Sequence, residues 1–298
     1  RLPANATVVA IDAFDVLFQR PLSDLVAAYR RLAAPTVEAT GAWPVIYGGE
    51  LNCWPFPHDG RIPVRASAAS RVPGAPPDWV HSIPWRSRIT ANHTPHLARR
   101  RFSVGAGPGL RGDEFCSAWL SRFYAHGGAP RMSFPFLCSG GAVGTVSAFR
   151  RLLREFMAIH ARRGEYDDQA ILGLVLMRNR SLGFVDAGAE IFLQLHGHDE
   201  RRDLERPLCH GDYFAEADAG ASEVPLAALR PPAVLTAAGA APSVIHFNGN
   251  GKLHLQRCIG MFHAAGVLGP MLSSRESESS DVPLCELFDH DRRKVVRV

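Results

Sequence analysis

Two aspartates stand three positions apart in the run Ile11-Asp12-Ala13-Phe14-Asp15-Val16, flanked on both sides by apolar residues. Carboxylates at the end of an apolar segment repel each other and are costly to desolvate, and a divalent cation relieves both problems. Hard oxygen ligands suit Mg²⁺ or Mn²⁺. Residues three apart on a continuing strand face opposite sides, so the chain has to turn at Asp12 for both carboxylates to reach one ion. The competing reading makes Asp15 a helix cap and Asp12 a turn residue. The β-prone Val16-Leu17-Phe18 and nearby Pro21 weigh against a helix there. Taken alone, the pair leaves the two readings balanced.

A second group lies far away in sequence. His246 follows Ser243-Val244-Ile245 and precedes Phe247-Asn248-Gly249-Asn250-Gly251-Lys252. An imidazole, amides, two glycines and a lysine within seven residues suit a diphosphate and its metal. Glycines let backbone N–H groups approach phosphate oxygens, and Lys252 supplies positive charge. A lone histidine at a strand end is more often structural, and Asn-Gly twice over is also a hairpin signal. Asp167-Asp168-Gln169 opens a helix, where acids cap the N-terminus and suit its dipole. Ser139-Gly140-Gly141 reads either as a tight turn or as backbone that lets a ligand come close. The haloacid-dehalogenase phosphatases also open with an apolar strand and two aspartates, but they require D-x-D followed by small turn residues, and here two residues separate the pair.

The elements that must hold these residues alternate between strand and helix. Val8 to Ile11 reads as a strand buried on both faces, Leu22 to Ala33 as an amphipathic helix, and Pro44 to Tyr47 as a strand ended by Gly48-Gly49. Helices are expected around Asp113 to Tyr124, from Thr145 to about Arg162, and from Asp167 to about Arg178, the last nearly all apolar. Regular patterning returns at Phe134-Pro135-Phe136-Leu137, and strands are expected at Ser181 to Val185, Glu190 to Leu195 and Ser243 to Phe247. The alternation predicts an α/β layer fold. The segment 57–130, rich in Pro, Arg, Ser and Gly, reads as an insertion outside the core. One domain over 1–268 is expected, with 269–298 a linker or the start of another element.

Of the 298 residues, 46% are hydrophobic and 21% charged, and the formal charge is +4. No apolar run approaches the ~20 residues of a membrane span. The basic residues are scattered without interleaved aromatics, so nucleic acid is not expected as a partner. The six cysteines include no C-x-x-C pair, which excludes zinc-ribbon and thioredoxin-type motifs, and their spacing leaves any disulfide pairing open. Sequons at Asn5, Asn92 and Asn179 lean toward the secretory pathway. With a strand reached almost at once after Arg1, a natural N-terminus upstream of Arg1 is expected.

In order along the chain, six segments resemble the glycosyltransferase domain of the multifunctional procollagen lysyl hydroxylases: Ile11 to Val16, Glu50-Leu51-Asn52-Cys53-Trp54-Pro55, Phe136 to Gly141, Asp167-Asp168-Gln169, Asp186 with Ile191-Phe192-Leu193-Gln194, and Val244 to Gly249 continuing through Lys252-Leu253-His254-Leu255. The resemblance implies a GT-A fold, a mixed sheet flanked by helices, with the first nucleotide-binding βα units lying before Arg1. It implies a Mn²⁺ (or Mg²⁺) site formed by Asp12, Asp15 and His246. UDP-glucose or UDP-galactose would be bound by Phe14, Ser139, Gly140, Gly141, Asn248, Gly249 and Lys252. Glu50, Trp54, Asp167 and Asp168 would line the catalytic pocket. The acceptor would be a hydroxyl such as that of hydroxylysine or galactosylhydroxylysine in a collagen-like protein, in the lumen of the endoplasmic reticulum or Golgi. Phe247 stands where the family has a glycine, so a phenyl ring is expected close to the diphosphate. An inactive relative kept as a glycan-binding or scaffolding module is the alternative.

Overall fold

The computed structural model describes residues 2–12, 14–56, 61–65, 80–84, 100–102, 110–124, 134–163, 167–196, 236, 240–255, 258–259, 286–289 and 294–297. In chain order the elements are β1 (Thr7–Ile11), β2 (Val16–Phe18), α1 (Leu22–Thr40), β3 (Val45–Glu50), β4 (Arg61–Arg65), β5 (Val80–Pro84), β6 (Arg101–Phe102) and β7 (Leu110–Arg111). They continue with α2 (Phe115–Tyr124), β8 (Phe136–Thr145), α3 (Val146–Arg163), α4 (Asp168–Arg178), β9 (Gly183–Asp186), β10 (Phe192–Gln194), β11 (Val244–His246), β12 (Glu286–Asp289) and β13 (Lys294–Arg297).

Seven strands form one mixed sheet in the order β1-β8-β3-β10-β11-β2, with β9 also paired to β3. The β1/β8, β3/β8 and β11/β2 pairs are antiparallel, whereas β9 and β10 run parallel to β3 and β10 parallel to β11. The two edge strands, β1 and β2, are consecutive in sequence, and this shapes the sheet. The five Cα steps from Ile11 to Val16 reach at most ~18 Å. Five strand spacings in a flat sheet would need ~24 Å. The sheet therefore curls until it nearly closes, with Asp12 and Asp15 at the two sides of the bridge across the gap. Asp12 N–H donates to Gly140 O at 3.1 Å on one side of the bridge, and Phe247 N–H to Asp15 O at 2.7 Å on the other.

Helices flank the sheet. From α1, Leu25, Ala28, Tyr29 and Ala33 pack with Ile46, Val143, Phe192 and Val244. Helix α4 is buried from Gln169 to Met177 and shares a second core with Phe115, Trp119 and Leu120 of α2 and with Val45 and Leu137. Helix α3 buries Leu152 and Ile159 but leaves Leu153 exposed, so its apolar face is narrower than the periodicity predicts.

Several elements differ from expectation. β1 is an edge strand, half-buried to exposed, because only β8 pairs with it among the described residues. Helix α1 continues through Pro35, which removes a single backbone donor, and stops at Gly41 in the left-handed conformation (φ 69°). Gly48-Gly49 and Ser139-Gly140-Gly141 continue strands β3 and β8 instead of turning, and the β3/β8 register shifts between Tyr47 and Gly48. Asn248 to Gly251 forms a 3₁₀ turn, not a hairpin.

Within the segment 57–130, β4/β5 and β6/β7 form two-stranded sheets of their own, and no described residue joins the main sheet. Its helix α2 nevertheless belongs to the core, which corrects the picture of an excursion wholly outside it. A disulfide between Cys53 and Cys116 fastens this helix beside the end of β3. Among the described residues, strands β12 and β13, in 269–298, pair only with each other.

Candidate functional site

The curl brings the ends of β1, β10 and β11 and the middle of β8 to one mouth. Here Asp12, Asp15 and His246 each point a ligand atom to a common centre, all within 4.8 Å of one another. His246 Nε2 lies 3.3 Å from Asp12 Oδ2 and 3.3 Å from Asp15 Oδ1. The His246 side chain is 2% exposed, that of Asp15 11%, and that of Asp12 62%, so the group is rooted in the sheet and open on one side. Lys252 Nζ sits 3.1 Å from the other Asp15 oxygen.

The other ring nitrogen of His246, Nδ1, hydrogen-bonds Gln194 Oε1. Because that oxygen can only accept, Nδ1 carries the proton and Nε2 presents a lone pair. Nε2 is buried and has no hydrogen-bond partner. A lone pair facing two carboxylate oxygens is repulsive unless a proton or a cation lies between them. The residues present therefore fit a divalent ion bound by one nitrogen and two carboxylates. The backbone is cut to the same shape: a Cβ on Gly140 would stand 2.6 Å from Asp12 Oδ2 and would collide with His246 Cε1. Were a proton to take the place of a cation at Nε2, the hydrogen bond and charge of His246, with the charge of Lys252, would hold the Asp12 carboxyl below the usual carboxylate range, against the opposing effect of partial burial.

A second polar group lies beside the first. Glu50, at the end of β3, is 3% exposed. Gln169 Nε2 donates to its Oε1 at 2.6 Å and Asn248 Nδ2 to its Oε2 at 3.2 Å. Burial pushes the Glu50 carboxyl up to about 8, against these two hydrogen bonds. Gln169 also accepts from Ser139 N–H and donates to Trp54 O, which joins the rim to the buried acid. Cys138, a free buried cysteine, lies 4.0 Å from His246 Nδ1 and 3.8 Å from Asn248 Nδ2. Burial raises its thiol well above the ordinary value, and the charges of Glu50, Asp12 and Asp168 add to this. The thiol thus sits among carboxylates of both groups.

The remaining expected site residues divide by position. Asp167 caps α4, accepting from Ala170 N–H at 2.8 Å, so its carboxylate is turned into the helix. Asp168 is exposed at the same helix end. Trp54 is exposed on the rim, and Phe14 is 94% exposed between the two aspartates. Gly249 is at the surface with φ 55°, a backbone conformation that favours glycine. Asn248 turns its Oδ1 to His196 N–H and its amide to Glu50. Gly141 lines the floor beside Phe192 and Gln194. The Phe247 ring does not face the site. It is fully buried in a core cluster with Leu17, Phe134, Leu193 and Ile245, because neighbouring strand positions point to opposite faces.

Two residues that hold the site together, Gln169 and Gln194, were not among those expected to form it. Gln169 had a signal in sequence, as a lone polar residue in a helix otherwise apolar to Met177. Gln194 stood in one of the segments that carry the resemblance, but its role depends on the β10/β11 register that pairs it with His246. No helix among the described residues is long and apolar enough to cross a membrane. No family model and no curated protein matches the sequence.

Proposed function

We propose that the protein is a metal-dependent hexosyltransferase of GT-A type that moves glucose or galactose from a UDP-sugar to a hydroxyl acceptor, of which hydroxylysine or galactosylhydroxylysine in a collagen-like chain is the leading candidate. The observation that carries the reading is the convergence of Asp12, Asp15 and the unpartnered His246 Nε2, from opposite ends of the sequence, on one open point. The ordered motifs around them support it. Asp12, Asp15 and His246 would hold Mn²⁺ or Mg²⁺. Bound there, the ion would supply Lewis-acid neutralisation of charge on a diphosphate leaving group.

The chain's own residues do the rest. Phe14 offers an exposed ring for stacking on the nucleoside. Lys252 and the turn at Gly249 take the phosphates, with Ser139, Gly140 and Gly141 forming a floor without bulk. Trp54 gives the acceptor sugar an apolar face, and Asp168 orients its hydroxyl. Glu50 does not touch substrate in this arrangement. It positions Gln169 and Asn248 from below, and Asp167 fixes the helix that presents Asp168. With Phe247 buried, the residue that replaces a glycine adds no bulk on the diphosphate side, which favours an active site over a binding module. The Cys53–Cys116 disulfide agrees with an oxidising compartment, the lumen of the endoplasmic reticulum or Golgi.

UDP release from UDP-glucose and UDP-galactose by the native full-length protein, with Mn²⁺ and with chelator, tests the proposal. Mn²⁺-dependent release that Asp15→Ala lowers by orders of magnitude is expected. No release from any nucleotide sugar would return the reading to a binding module, and metal-independent release would overturn the proposed chemistry.

A further inference from the structure

Gln194 is fully buried in the floor of the site, and its two amide atoms are in unequal positions. Oε1 accepts from His246 Nδ1, whereas Nε2 has no partner. A buried unpartnered amide N–H costs stability, and an apolar side chain of the same shape would avoid that cost. The fold has also cleared space for this side chain. A Cβ on Gly48 would overlap Gln194 Nε2, and one on Gly141 would press it at 3.2 Å, so two strands have given up side chains where the amide lies. The parallel register sets Gln194 directly beside His246 on the same face of the sheet.

We infer that Gln194 is a positioning residue that fixes the His246 tautomer, keeping the proton on Nδ1 and the Nε2 lone pair free for a divalent cation. This rests on the metal-site reading of the triad. Without the Gln194 acceptor, the proton's best acceptors are the Asp12 and Asp15 oxygens on the Nε2 side, each 3.3 Å away. A proton held there occupies the lone pair the cation needs, so metal has to displace it.

The test is Mn²⁺ binding, measured as free Mn²⁺ by electron paramagnetic resonance, on the wild-type chain and on His246→Ala, Gln194→Met and Gln194→Glu. Imidazole ¹⁵N shifts of the metal-free protein are recorded at about pH 8, above the ordinary imidazole range. Gln194→Met keeps the shape and removes the acceptor. It is expected to weaken Mn²⁺ binding by about 10–100-fold, to move the His246 proton to Nε2, and to leave the urea midpoint unchanged or raised. Gln194→Glu keeps an acceptor and restores both the tautomer and the affinity. Wild-type affinity and an unchanged ¹⁵N pattern in Gln194→Met would overturn the role of Gln194 while leaving the metal centre standing. Absence of Mn²⁺ binding by the wild-type chain would instead remove the metal reading, and the inference with it.

Discussion

Replacing Glu50 by glutamine isolates the most strongly shifted buried acid beside the site. The folded chain pushes the Glu50 carboxyl up to about 8 from an ordinary 4.5, with burial as the main cause. A raised carboxyl is protonated in the folded chain where the unfolded chain has already ionised. Its contribution to stability is therefore whole below pH 4.5 and drains away as pH rises through 8. At 1.36 kcal/mol per unit, the full loss is on the order of 5 kcal/mol, of which about 2 kcal/mol falls between roughly pH 6 and 8. Glutamine has the shape of the protonated acid and cannot ionise. Gln169 and Asn248 both donate to Glu50, and the amide nitrogen of glutamine cannot accept as the hydroxyl of the neutral acid can, so the variant carries a cost that does not change with pH. Urea unfolding followed by tryptophan fluorescence at several pH values is the assay. Relative to their difference below pH 4.5, the Glu50→Gln protein is expected to gain about 2 kcal/mol on the wild type by about pH 6 and about 4 kcal/mol by about pH 8. Taking the difference between the two removes the titration of Asp186 and other shared groups. Parallel pH curves for the two proteins would refute the reasoning, because they would mean that Glu50 is already ionised when folded.

Other perturbations have expected outcomes of their own. Gly140→Ala should abolish Mn²⁺ binding in a titration while the chain stays folded, since its Cβ would collide with the His246 ring and Asp12. Lys252→Met should tighten Mn²⁺ binding a few-fold, as an exposed competing cation is removed from Asp15, while weakening UDP binding in the presence of metal. Opposite signs for the two ligands in calorimetry mark this role. Replacing Cys53 and Cys116 together by serine should cost on the order of 4 kcal/mol in urea unfolding, from the loop entropy released across their 63-residue separation.

Much of this site could be read from sequence, and the limits of that reading are physical. Apolar residues on both sides of Asp12 and Asp15 announced a strand end, and the buried helix after Asp167 was plain from its composition. The convergence with His246, more than two hundred residues away, followed from neither. It depends on the sheet curling until β1 and β2 sit at adjoining edges, which is a property of strand order. Ser139-Gly140-Gly141 read either as a tight turn or as backbone that lets a ligand come close, and the turn is the reading that fails. Here they lie within a strand whose missing side chains make room for His246, Asp12 and Gln194. Phe247 looked like an obstruction because sequence does not say which face of a strand a residue takes. Once His246 points into the mouth, alternation sends Phe247 into the core.

A divalent metal centre formed by Asp12, Asp15 and His246, at which a nucleoside diphosphate binds, is what the proposed chemistry depends on. The most direct measurement is an anomalous difference map, at wavelengths on either side of the manganese absorption edge, from crystals of the protein grown with Mn²⁺ and UDP. One strong peak bounded by Asp12, Asp15 and His246 Nε2 is expected, with diphosphate density between it and Lys252. No peak at the triad, or a peak held by other residues with the triad left in its metal-free arrangement, would contradict it.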